Sequence, residues 1–178
     1  LGAGISVAAI NYRHTDGGAN PYPAPMLDAA RAVQFLRYTA NKYQLDESRI
    51  ICTGGSSGGC MSLWLAFHDD LADLNSDDPV LRESTRITAV VPHAGQSSLH
   101  LPTILSWFEL ERLVEHPGGR PLFGIPPGAE IPQTKEFDKL TLDASPITHL
   151  SKDDPPVFMS YPPDQIVDEN TDFRIWVH

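Results

Sequence analysis

Apolar and polar positions along the chain fall into two periods. The run Gly4-Ile5-Ser6-Val7-Ala8-Ala9-Ile10-Asn11-Tyr12 is short, mostly apolar and bounded by glycine and by the polar stretch Arg13 to Asn20, which predicts a buried strand. Pro21, Pro23 and Pro25 then mark a loop. From Met26 to Tyr43 the small and apolar residues Ala29, Ala32, Val33, Leu36 and Ala40 recur at spacings of three and four, one face of a helix with Asp28 in its first turn and a break at Gln44 to Ser48. Ile50 to Thr53 predicts a second strand, Gly58 to Phe67 a helix, Ile87 to Pro92 a third strand and Pro155 to Tyr161 a fourth. Strands alternating with helices imply an α/β fold with a parallel sheet.

Between Gln96 and Leu142 the pattern loosens. One helix is predicted around Thr103 to Glu115, followed by a stretch dense in proline and glycine. A connection this long and broken reads as a cap or loop insertion shaping a binding site within a single domain over 1–178. It offers Trp107, Phe108 and Phe123 as apolar walls. Composition narrows the partners. With 13 Lys+Arg against 23 Asp+Glu, the net charge of −10 argues against nucleic acid or an anionic membrane surface. No apolar run approaches the roughly 20 residues of a membrane helix, and none resembles a secretory signal. The compartment is not readable from these residues. Cys52 and Cys60 read as small buried thiols without metal-ligand spacing.

The chemistry concentrates where the second strand meets the helix, at Gly54-Gly55-Ser56-Ser57-Gly58-Gly59. Two phosphate-binding readings fail on residue identity. A dinucleotide fingerprint needs glycine where Ser56 or Ser57 stands, and a P-loop needs Lys and Ser/Thr where Cys60 and Met61 stand. A nucleophile elbow fits, with small residues two positions either side of a serine in a sharp strand-to-helix turn. Both Gly54-x-Ser56-x-Gly58 and Gly55-x-Ser57-x-Gly59 satisfy it.

With these residues in place, the chain resembles the α/β-hydrolase superfamily and, within it, the small esterases of the carbohydrate-esterase and hormone-sensitive-lipase-like kind. Asn11-Tyr12-Arg13, the helix from Asp28 to Leu36, the Gly-Gly-Ser-Ser-Gly-Gly elbow, Ala144-Ser145-Pro146-Ile147 and Asp164-Gln165-Ile166-Val167 carry the resemblance. It implies a three-layer, mostly parallel sheet and a serine carboxylic-ester hydrolase working through an acyl-enzyme. In the family register Ser56 is the nucleophile, the Ser57 backbone N–H serves the oxyanion hole, and Asp164 orients the catalytic histidine. No metal or organic cofactor is implied, and the partner is a small-molecule or carbohydrate ester.

Two departures from the family pattern shape the reading. Only His178 follows Asp164, too close in sequence for the helix and strand that normally separate acid and histidine. His93 follows the third strand and could line the pocket, while His14, His68, His100, His116 and His149 carry no catalytic signal. Upstream, the His-Gly-Gly-Gly oxyanion motif has no counterpart. The chain therefore reads as part of an α/β-hydrolase domain without the first strands and the last strand. The alternatives are a serine peptidase of the prolyl-oligopeptidase type and a non-catalytic binding protein on the same fold.

Overall fold

A computed structural model describes residues 3–109, 119–126 and 128–161. Its centre is a parallel pair, β1 (Ile51–Gly55) and β2 (Ala89–His93), in register from Ile51 opposite Ala89 to Gly55 opposite His93. The connection between them contains α3 (Ser57–Phe67). Every residue of α3 from Gly59 to Phe67 is buried, as expected of a helix that is apolar all round. Leu63 and Trp64 are enclosed almost completely, with Val90 of β2 beside them in the core.

The other side of the core is closed by α1 (Ala24–Tyr38), which starts with Pro25 in its first turn and buries Met26, Ala29, Ala30 and Val33. Its polar residues also have partners. The buried Gln34 amide donates to the Leu81 and Glu83 carbonyls, and Arg37 donates to the Ser84 and Arg86 carbonyls. The predicted single helix from Met26 to Tyr43 is broken at Thr39. The Thr39 hydroxyl bonds back to the Phe35 carbonyl at 2.6 Å, and the chain restarts as α2 (Ala40–Tyr43). Gln44 ends it in a left-handed conformation, φ 55°. Asp28 lies beyond the first turn of α1, and its carboxylate clasps Arg13 instead.

Two predicted strands differ from expectation. Residues 5–15 form no ladder, and Ile5 and Val7 stand 65% and 73% exposed. A strand exists only against a partner, and none lies beside this segment among the described residues. The segment 155–161 does run parallel along β2. Val90 bridges Val157 and His93 bridges Ser160. Four bonds define this ladder: Val90 N–H to Pro156 O, Phe158 N–H to Val90 O, Ser160 N–H to Pro92 O and Ala94 N–H to Ser160 O. The bond missing from the series belongs to Pro92, which has no N–H to give Phe158. One proline thus divides a strand into two bridges.

The broken segment holds α4 (Leu101–Trp107), α5 (Gly119–Leu122) and α6 (Lys135–Asp143). His100 caps α4 by accepting the Thr103 N–H, and Thr134 caps α6 by accepting that of Phe137. The predicted reach of the first helix to Glu115 lies partly outside the described residues. A 3₁₀ turn, Pro146–His149, follows α6 and packs against α3.

Candidate active site

The turn from β1 into α3 carries both serines at the exposed carboxyl end of the sheet. Ser56 has φ 51° and ψ −116°. A residue with a Cβ is held in so sparsely populated a region at a cost on the order of 1–3 kcal/mol. Its neighbours hold it there. The Ser56 N–H donates to the His93 carbonyl at 2.9 Å, and the Ser56 carbonyl accepts from the Cys60 N–H at 3.0 Å.

Backbone contact makes the turn this tight. A Cβ on Gly54 would stand 2.5 Å from the Gly58 carbonyl carbon, and one on Gly59 would stand 2.8 Å from the Gly95 Cα. Only glycine lets the strand, the helix and the end of β2 meet so closely. Gly55, the first glycine of the alternative register, has nothing within 4 Å of such a Cβ. Ser57 is the first residue of α3, so its N–H has no partner within the helix.

Two tyrosines gather at the elbow. The Tyr12 and Ser57 hydroxyls are 3.2 Å apart. Tyr12 is held in turn through its neighbour, since the Arg13 backbone and guanidinium both donate to Asp28. The guanidinium keeps the Asp28 carboxyl below its usual pKa. On the far side Tyr161 donates to the Gly95 carbonyl at 2.9 Å, tying the 155–161 segment to the same glycine that touches Gly59. Sequence reasoning passed over both tyrosines. The available signal was their position at the carboxyl ends of two apolar runs.

The other expected residues are placed as follows. His93 ends β2 and meets Ser56 through its carbonyl, while the residue itself is exposed. Trp107 and Phe108 are 49% and 51% exposed at the end of α4. Phe123 instead packs edge-on against Phe137, 5.6 Å between ring centroids, and onto the core. Burial pushes the Cys60 thiol up to about 12 and the Cys52 thiol up to about 11, in keeping with small core residues rather than reactive thiols. Asp164, His116 and His178 lie outside the described residues. Among the described residues, one group of metal-type donors converges, His68, Asp143 and His149, at the opposite end of α3 from the elbow.

A parallel sheet, a strained serine between strand and helix and glycines packed at its back define an α/β-hydrolase fold, and solved structures agree. A carbohydrate esterase from gut microbiota, solved in truncated form, superposes with a TM-score of 0.64 at 23% identity, over 86% of this chain and 53% of that one. An acetyl ester-xyloside bifunctional hydrolase from Caldicellulosiruptor lactoaceticus gives 0.65 at 31% identity, over 84% and 46%. More narrowly, the chain belongs to the BD-FAE family, whose profile matches residues 1–171. It is also 33% identical over 163 residues to a Mycobacterium tuberculosis protein named “Probable carboxylic ester hydrolase LipM”, a match covering 85% of this chain and 32% of that protein. The chain thus spans a third to a half of the length of these relatives. No helix among the described residues is long and apolar enough to cross a membrane.

Proposed function

We propose that the protein carrying this chain is a serine carboxylic-ester hydrolase with Ser56 as its nucleophile. The observation that carries this reading is the Ser56 backbone, φ 51° and ψ −116°, at a strand-to-helix turn closed by glycine contacts. Ser56 Oγ would attack the ester carbonyl carbon as a histidine outside the described residues takes its proton. Negative charge then gathers on the carbonyl oxygen. The Ser57 N–H would stabilise it, and such a donor is worth roughly 3 kcal/mol. The histidine next returns the proton to the departing alcohol, leaving an acyl-Ser56 ester that water hydrolyses by the same route.

Asp164 would orient the histidine. The 155–161 segment supports this assignment, because it runs parallel to β2 and its last described residues, Ser160 and Tyr161, lie against His93, Ala94 and Gly95 at the end of the sheet where Ser56 stands. The substrate class suggested by the acetyl ester-xyloside hydrolase relative is a short-chain ester on a carbohydrate. Trp107 and Phe108, with half their surface open, would form part of the mouth of the site, within the insertion spanning 96–142.

A fluorophosphonate probe should label the protein at Ser56, and Ser56→Ala should abolish both labelling and hydrolysis of short-chain p-nitrophenyl esters. Labelling that survives Ser56→Ala but disappears in Ser57→Ala would overturn the assignment.

A further inference from the structure

At the far end of α3 from Ser56, three side chains with metal-binding chemistry converge from three separate elements. His68 directly follows α3, Asp143 ends α6, and His149 ends the 3₁₀ turn. Each contributes one ligand-type atom, and these atoms lie within 4.8 Å of one another. The two imidazoles face each other with centroids 4.6 Å apart, and the Trp64 ring backs His68 at 4.1 Å.

Their outer contacts orient them. His68 Nδ1 lies 3.1 Å from the Asp69 carbonyl. A carbonyl only accepts, so Nδ1 carries the proton and Nε2 keeps a free lone pair. The Tyr22 hydroxyl donates to Asp143 Oδ2 at 2.6 Å, while Asp143 Oδ1 lies 4.0 Å from His149 Nε2. Such support, an imidazole N–H on a carbonyl and a carboxylate held by a hydroxyl, is typical of residues that ligate metals.

We propose that His68, Asp143 and His149 form a Zn²⁺ site, binding through two imidazole nitrogens and one carboxylate oxygen with water in the fourth position. This donor set suits zinc and disfavours calcium and magnesium, which take mainly oxygen ligands. Ligand atoms about 2.0–2.2 Å from zinc sit roughly 3.3 Å from one another in a tetrahedron, so the group must close inward by on the order of 1 Å. Asp143 is exposed and has room to do so. His149 Nε2 now donates to the Asp143 backbone carbonyl at 2.7 Å. On binding, that proton moves to Nδ1 and the lone pair on Nε2 meets the ion. The abandoned carbonyl keeps the Trp64 indole N–H as its donor at 3.3 Å, so it is not left unpaired. The bound ion would clamp the end of the serine-bearing helix to α6 and to the turn that leads into the 155–161 segment.

The test is Zn²⁺ titration of the metal-stripped protein in competition with a chromophoric chelator, together with Co²⁺ substitution read by visible absorption. One equivalent should bind with micromolar or tighter affinity, the Co²⁺ spectrum should have the intensity of a four-coordinate site, and Mg²⁺ and Ca²⁺ should not compete. Each of His68→Gln and Asp143→Asn should weaken Zn²⁺ binding about tenfold or more. Asp143 is exposed and its amide nearly isosteric, so that variant remains informative if His68→Gln loosens the end of α3. Absence of saturable binding below about 100 μM, or equal binding by wild type and Asp143→Asn, would overturn the proposal.

Discussion

Replacing Gly54 with alanine puts a methyl group 2.5 Å from the Gly58 carbonyl carbon, 2.7 Å from its oxygen and 2.9 Å from its Cα. Ordinary carbon contacts begin near 3.4 Å, so β1 and α3 must part by about 0.9 Å for the methyl to fit. Overpacking of this kind costs roughly 1–3 kcal/mol where side chains can rotate aside. Here all three contacts are backbone atoms, so the expected loss is at the upper end, about 3 kcal/mol. Gly55→Ala is the internal control, since its methyl meets nothing within 4 Å. It should change stability by less than about 0.5 kcal/mol. Urea unfolding followed by tryptophan fluorescence gives both values, with constant m confirming that the denatured state is unaltered. Parting strand from helix also displaces Ser56, and a misplacement near 1 Å costs on the order of 100-fold in rate. Ester hydrolysis by Gly54→Ala should fall accordingly. If the two variants unfold at the same urea concentration, the glycine contact does not hold the elbow and the reasoning fails.

The strain at Ser56 predicts an opposition between stability and activity. Ser56→Gly should be about 1–2 kcal/mol more stable than Ser56→Ala, because only glycine relaxes at φ 51°, and both should be inactive; equal melting temperatures would mean that no strain is stored there. The two thiols should be silent towards Ellman's reagent at pH 8 in the native protein and react on unfolding. Burial raises both above their unfolded pKa, so the stability linked to them is fully present below about pH 8.5 and is lost as pH climbs towards the folded values of about 11 and 12. Rapid native labelling of Cys60 would contradict its burial.

The sequence made α1, β1, α3 and β2 legible because each is a run whose period or apolarity belongs to that run alone. The elbow was legible for the same reason: its six residues are contiguous and their chemistry is local. What escaped depends on partners elsewhere in the chain. The 4–12 run has a strand's composition but no neighbour to bond with among the described residues. The 155–161 strand is interrupted by a proline on β2, not by anything in its own residues. Thr39 ends a helix through a side-chain bond that composition does not reveal. Tyr12 meets Ser57 across 45 residues of chain, beside an Arg13 that clasps Asp28, and neither pairing is visible in the local sequence. His68, Asp143 and His149 come together only because α3 packs against the turn after α6.

The contacts of Gly54 with Gly58 and of Gly59 with Gly95 leave no side chain between the three backbones that frame Ser56. Elsewhere in the core, spacing can be adjusted one methylene at a time by exchanging leucine, valine or alanine. Here no smaller residue exists and any larger one collides. The serine's position therefore has a single setting, insulated from gradual change by mutation. On the proposed function, new substrates would be accommodated by reshaping the approaches to the serine while the serine stays where it is. The divided ladder beside Pro92 lies next to this fixed point, and there the proposed function places the adjustable parts.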